Sequence, residues 1–241
     1  MNELTQLRQK ISALKKAEAQ RKRTEEALTR SLEKVRKTLT GTVNALAVTV
    51  EMRDPYTAGH QRRVTLLACA IAREMGLPEE QVEGLHVAGS LHDIGKILVP
   101  AEILNKPGPL TETEIGQIMN HPQTGHDILM GLIKGHPQAG YDILKEIDFP
   151  WPVAQIVLQH HERMDGSGYP RGLAGEDTLR EARILAVADV VEAMASHRPY
   201  RPAHGVDKAL EEISRNRYTL YDPEAVDACV KLFAEKRFQF K

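Results

Sequence analysis

The chain has 241 residues, 41% of them hydrophobic and 27% charged, with a formal net charge of −1. That length suits one core of moderate size with an appendage, and the composition excludes wholesale disorder. Near-neutral charge gives no reason to expect a nucleic-acid polymer as partner. Residues 1–40 do carry 11 Lys/Arg against five Glu, leaving 21 against 28 Asp/Glu for the rest, but this excess is spread along a helical pattern and reads as a solvated face. No run approaches the ~20 apolar residues of a membrane span. The N-terminus also lacks the short apolar region of a signal peptide. Cys69 and Cys229 lie far apart in apolar contexts without a CxxC pair, which fits buried thiols in a reducing compartment. The expectation is a soluble, cytoplasmic protein.

Residues 1–50 contain no proline and predict one long helix. Leu4, Leu7, Ile11 and Leu14, then Leu28, Leu32, Val35, Leu39, Thr42 and Leu46, follow a 3–4 spacing that Glu18, Arg21 and Glu25 interrupt. The pattern favours a dimeric signalling coiled coil, through which a homodimer forms and an upstream sensor could act. The plainer reading is a lone charged helix. From residue 51 to 241 a second domain is expected. Val64, Leu67 and Ile71 mark a helix that stops at Gly76-Leu77-Pro78, and Val82, Leu85, Ala88 and Gly89 mark the next. Pro100 to Pro109 is a loop; Arg180–Ser196, Val206–Ser214 and Glu224–Phe233 are further helices. With no clear strand alternation, the fold class is all-α.

One internal duplication stands out. Residues 115–129 (IGQIMNHPQTGHDIL) and 130–144 (MGLIKGHPQAGYDIL) agree at nine of 15 positions. Two copies of this length are too few for a solenoid, and the pattern suggests a local duplication inside one helix.

Several residues carry chemistry. His60 shares a helix face with Val64, Leu67 and Ile71 and so points to the core; alone, it reads as a hydrogen-bonded core histidine. His92-Asp93 ends an apolar helix and sets a neutral nitrogen beside an anionic oxygen, the donor mix of a divalent metal, and a carboxylate can bridge two ions. Ile94-Gly95-Lys96 then turns the chain and brings an ammonium close. Asp189 lies in the apolar run 184–194, where an unpaired carboxylate is costly to bury. An arginine ion pair would answer that cost, but coordination answers it better beside the other candidate donors. His160-His161 closes the run Val153, Ile156, Val157 and leads into Asp165-Gly-Ser-Gly-Tyr-Pro170, which is turn chemistry.

Taken together, His60, His92-Asp93 and Asp189 resemble the HD superfamily of metal-dependent phosphohydrolases. HDIGK (92–96), KPGPL (106–110), HHERMDGSGYP (160–170) and SHRPYR (196–201) resemble its HD-GYP branch, over residues 51 to about 232. The resemblance implies a helical bundle holding two, sometimes three, divalent metal ions, commonly iron or manganese. It implies phosphodiesterase activity on cyclic di-GMP, giving pGpG and sometimes GMP. The implied metal ligands are His60, His92, Asp93, the histidine of an HP pair, His160, His161 and Asp189. Lys96, Arg198 and Arg201 match phosphate-holding positions, Tyr169 matches one lining the guanine side, and Asp93 and Lys96 are the catalytic pair to expect. For Arg198 and Arg201 a solvated helix end is the plainer alternative.

The chain departs from the pattern twice. Members with three metals carry a Glu four residues before the first histidine ligand, where this chain has Tyr56, so a binuclear site is expected. The duplication also offers two HP histidines, His121 and His136. On one continuous helix they would stand ~22 Å apart, too far to serve one cluster. His136 is favoured, because the tight Asp148–Pro152 turn holds its register to His160. Two other readings stand beside the phosphodiesterase: a catalytically weak signalling or binding module, and an HD phosphohydrolase acting on another cyclic nucleotide.

Overall fold

The computed structural model describes residues 3–53, 59–99, 134–197 and 203–240. The chain divides into two compact units, residues 1–42 and 43–241. Helix α1 runs Glu3–Glu51. In the first unit its apolar positions Leu4, Leu7, Ile11, Leu14, Leu28, Leu32, Val35 and Leu39 are all exposed. Apolar side chains at 3–4 spacing form an exposed seam in two stretches, interrupted at Glu18, Arg21 and Glu25.

The second unit opens with the last turns of α1, where Val43 and Val50 enter the core. Then follow α2 (His60–Glu74), α3 (Glu79–Leu91), a 3-10 turn (Ile94–Leu98), α4 (His136–Leu144) and α5 (Val153–Gln159). After a second 3-10 turn (Gly175–Asp177) come α6 (Arg180–Ala195), α7 (Val206–Arg215) and α8 (Pro223–Ala234). Among the described residues there is no strand, only the isolated bridges Asp165–Ala174 and Arg217–Tyr221. The fold is all-α.

Helix α6 is the axis of this unit. Ala182, Ile184, Leu185, Ala186, Val187, Ala188 and Val191 are buried around its whole circumference, and it packs against α2, α3, α5, α7 and α8. A helix apolar all round is stable only when surrounded, so its interior carboxylates need partners. Helix α2 buries Val64, Leu67, Ala68 and Ile71 at the expected spacing and ends at Glu74, just before Gly76. Asp222 caps α8 by accepting from the backbone N–H groups of Glu224 (2.9 Å) and Ala225 (3.1 Å), with Pro223 at the first position. Cys69 and Cys229 are free and buried, and burial pushes their thiols up to about 11 and about 12. No helix among the described residues is long and apolar enough to cross a membrane.

Two packing relations place the functional residues. Helix α4 lies against the 3-10 turn that follows His92-Asp93, and also against α5, which leads directly into His160. The first residue of α4 therefore meets both motifs. That residue is His136.

Candidate metal centre

His60 opens α2 on the face that Val64, Leu67 and Ile71 draw into the core, and is 3% exposed. Its Nδ1–H donates to Oε2 of Glu192, which is itself fully buried on α6. The same carboxylate accepts from Arg63 Nε (2.6 Å) and Ser196 Oγ (2.6 Å). With Nδ1 committed, Nε2 faces inward, 3.2 Å from Asp189 Oδ1 and 3.9 Å from Asp93 Oδ2. Burial lowers the His60 pKa, but the Asp189 and Glu192 carboxylates outweigh it and raise it to about 9. Burial likewise raises the Glu192 carboxyl, and His60 with Ser196 and Arg63 overrides that, holding it down at about 2.

His92 follows the last residue of α3. Its Nδ1–H donates to the Gly89 carbonyl at 2.7 Å, so the lone pair sits on Nε2. That nitrogen is buried without a hydrogen-bond partner. An unsatisfied buried acceptor costs about 1–3 kcal/mol. A cation at this point would take the lone pair.

Asp93 lies between two groups of donors. Its Oδ2 is 2.6 Å from Lys96 Nζ and 3.6 Å from His92 Nε2, while its Oδ1 is 3.4 Å from His136 Nε2. Burial alone would raise the carboxyl, but Lys96, His92, His136 and His60 together hold it well below the ordinary range. It is an anion with one oxygen turned each way.

The second group comes from α4 and the end of α5. His160 donates Nδ1–H to the Val157 carbonyl at 2.6 Å, and its Nε2 lies 3.4 Å from His136 Nε2. The His161 ring sits 4.0 Å from that of His160 and 5.1 Å from that of His136, centroid to centroid. Burial, reinforced by neighbouring histidines, lowers His160 well below its ordinary pKa; burial also takes His161 down to about 3. Both are neutral near pH 7, the state that donates to a metal. A close approach brings His136 here. A Cβ on Gly95 would overlap the His136 carbonyl oxygen and lie 2.6 Å from Gly140 N, so only glycine lets α4 seat against the turn.

The loop after His161 forms a rim. Glu162 is buried and accepts from the backbone N–H groups of Arg171 (2.7 Å) and Leu173 (3.0 Å). Tyr169 N–H donates to the His161 carbonyl at 3.2 Å, and its ring lies 4.8 Å from the His161 ring. Gly168 is needed for this fold-back, since a Cβ there would stand 2.5 Å from Arg163 N, Glu162 Cα and His161 O. Lys134, just before α4, sets its ammonium 5.8 Å from the Tyr169 ring centroid.

The structure thus brings together His60, His92, Asp93, Lys96, His136, His160, His161, Tyr169 and Asp189. His121, Arg198, Arg201 and Tyr56 lie outside the described residues. Sequence reasoning missed Glu192, Glu162 and Lys134. Glu192 had a signal, standing three residues after Asp189 in the same apolar run, on one helix face. Glu162 lies inside the HHERM string but gives no sign of its backbone partners. Nothing in the sequence marks Lys134.

The donor chemistry fits divalent ions. Two sets, His60/His92/Asp93 and His136/His160/His161, each hold their candidate donor atoms within 4.8 Å of one another. Imidazole and carboxylate suit zinc, iron, manganese or nickel alike. In three histidines the outward ring nitrogen is fixed by a hydrogen bond from the other: to Glu192, to Gly89 and to Val157.

Comparison with known proteins places the chain in a family. The HD-domain family matches residues 44–134 and 130–225, the first span containing copy one of the duplication and the second copy two. The cyclic di-GMP phosphodiesterase response regulator RpfG of Xanthomonas campestris pv. campestris is 39% identical over 228 residues, covering 95% of this chain and 56% of the relative. A cyclic di-GMP phosphodiesterase of Thermotoga maritima is 39% identical over 185 residues, covering 77% of this chain and 47% of the relative. The 3'3'-cGAMP-specific phosphodiesterase 3 of Vibrio cholerae is 36% identical over 189 residues, covering 78% and 38%. The chain spans about half the length of the curated relatives it matches, or less. Among solved structures, a cyclic GMP-AMP specific phosphodiesterase of V. cholerae superposes with a TM-score of 0.64 at 21% identity, over 81% of this chain and 49% of that one, a likeness of fold.

Proposed function

The chain belongs to the HD-domain family, and from that premise we propose that it is a metal-dependent phosphodiesterase that hydrolyses cyclic di-GMP to pGpG, to GMP or to both. The observation that carries the reading is Asp93, which turns one oxygen towards each of two buried donor sets. Two divalent ions, iron or manganese, would be held by His60, His92, Asp93 and Asp189 on one side and by Asp93, His136, His160 and His161 on the other. Bound there, they supply Lewis acidity and lower the pKa of an attacking water.

The chain's own residues supply the rest. Lys96, held 2.6 Å from Asp93, orients that carboxylate and presents positive charge where a phosphoryl oxygen gains negative charge. Glu192 keeps His60 in the tautomer whose Nε2 faces the site. Tyr169 offers an aromatic wall at the rim for a purine, while Arg198 and Arg201 extend the phosphate contacts. Hydrolysis adds water across one P–O bond of the cyclic dinucleotide, leaving a 5′-phosphate and a 3′-hydroxyl on a linear product. In the same reading, residues 1–50 serve as a dimerising signalling helix, its exposed leucine seam closed by a second copy of the chain and its state set by a sensor. Residues 51–241 form the phosphohydrolase domain.

A relative specific for 3'3'-cGAMP at 36% identity favours one second reading, the same chemistry on a hybrid cyclic dinucleotide. The test is turnover by protein purified without oxygen and loaded with Fe(II) or Mn(II), offered cyclic di-GMP and 3'3'-cGAMP separately, with products resolved by chromatography. Formation of pGpG with two metal ions per chain is the expected result. Two bound ions with no turnover of either substrate would point instead to a binding module.

A further inference from the structure

We propose that Lys134 binds the phosphate of the cyclic dinucleotide that is not being cleaved, which makes it a substrate-binding residue of the rim. The inference rests on the phosphodiesterase reading above. It starts from a contrast between two lysines. Lys96 stands 2.6 Å from Asp93 and belongs to the donor cluster. Lys134 is exposed and, among the described residues, forms no ion pair with any carboxylate; its recorded contact is the face of Tyr169 at 5.8 Å.

An ammonium over an aromatic face gains about 0.5–1 kcal/mol at an exposed site, and that attraction holds it beside the ring without neutralising it. It also stands next to a centre that is itself cationic once divalent ions join Asp93, Asp189 and Lys96. A second positive charge there is unfavourable until an anion arrives. The ligand Lys134 suits is therefore anionic, and it lies beyond the donor atoms, since the Tyr169 ring beside Lys134 is itself 4.8 Å from the His161 ring, tilted against it. A substrate with one phosphate at the donor cluster and a second further out meets both requirements, and a cyclic dinucleotide has two phosphodiesters in one ring. The purine joined to the outer phosphate can share the Tyr169 face. In the duplication, the position equivalent to Lys134 in copy one is Met119.

The test compares wild type, Lys134→Gln, Lys134→Met and Lys134→Arg, all metal-loaded. For cyclic di-GMP, Lys134→Gln and Lys134→Met should raise KM by about tenfold with kcat little changed, the size of one charge-assisted contact made equally in ground and transition states. Lys134→Arg should restore most of the affinity. Hydrolysis of bis(p-nitrophenyl) phosphate, which has one phosphate and no base, should not change. A binding readout free of turnover is the affinity for pGpG, which should weaken, against that for GMP, which should not. Equal KM and equal pGpG affinity in all four proteins would overturn the role of Lys134 alone. Parallel loss of kcat on both substrates would overturn it too, since that would make the lysine a support of the metal centre. Wild type that neither binds nor hydrolyses cyclic di-GMP would overturn the functional reading itself, and is recognised without any variant.

Discussion

The two donor sets solve the same problem with opposite electrostatics. In the first, His60 sits among Asp93, Asp189 and Glu192, and carboxylates hold a proton on its ring up to about 9. In the second, His136, His160 and His161 contribute no carboxylate of their own, and burial keeps His160 and His161 neutral. The first set is an acidic pocket that in the metal-free protein is stabilised by a proton and by Lys96. The second is a cluster of imidazoles in which His160 and His161 are neutral. Asp93 has one oxygen near His60 and His92 and the other near His136. A carboxylate so placed could serve two ions at once.

The largest effect should follow from removing that carboxylate. Asp93→Ala is expected to empty both sets and lower turnover on the order of 10³-fold, since both ions and the Lys96 anchor depend on it. Metal content per chain, measured beside the rate, would break the comparison if one full equivalent stayed bound. Next comes Gly95→Ala, which forces α4 away from the 3-10 turn through the His136 carbonyl. It should empty the second set while the first keeps its ion, at a stability cost of about 1–3 kcal/mol typical of overpacking. A single remaining equivalent, with melting temperature reduced, is the expected result.

Glu192→Gln acts on the first set alone. It weakens the bond that orients His60 and should lower metal affinity there by roughly 10–100-fold, leaving the second set unaltered. Competition with a chelator, resolved into two steps, reads this directly. The mildest effect is on pH. The fold resists protonating His161 down to about 3, whereas the unfolded chain takes that proton near 6.5, so stability falls as the pH drops from 6.5 towards 3. His60 behaves oppositely: its stabilising proton is fully present below 6.5 and is lost as the pH rises to about 9. The metal-free protein should therefore be most stable near pH 6.5. Denaturant midpoints at pH 5, 6.5 and 9 check it, and a steady rise to pH 9 would remove the contrast.

Much of this was legible along the chain. The spacing of Val64, Leu67 and Ile71 put His60 on a buried face, and the apolar run 184–194 held an acid, Asp189, whose burial called for a partner. Glu192 was harder to see, because its role depends on a histidine 132 positions away. Lys134 was harder still. An exposed lysine in a helical repeat reads as a solvated charge until Tyr169 is placed beside it.

The sequence by itself determined the helical frame and the donor inventory, because 3.6-residue periodicity and residue chemistry are local properties. It also limited the HP ligand to two candidates, His121 and His136. Tertiary structure decided what local patterns cannot encode: the sorting of six side chains into two sets, the opposed direction of the Asp93 oxygens, and the seating of His136 against Gly95. Each of these depends on elements distant in sequence meeting at side-chain contact distance.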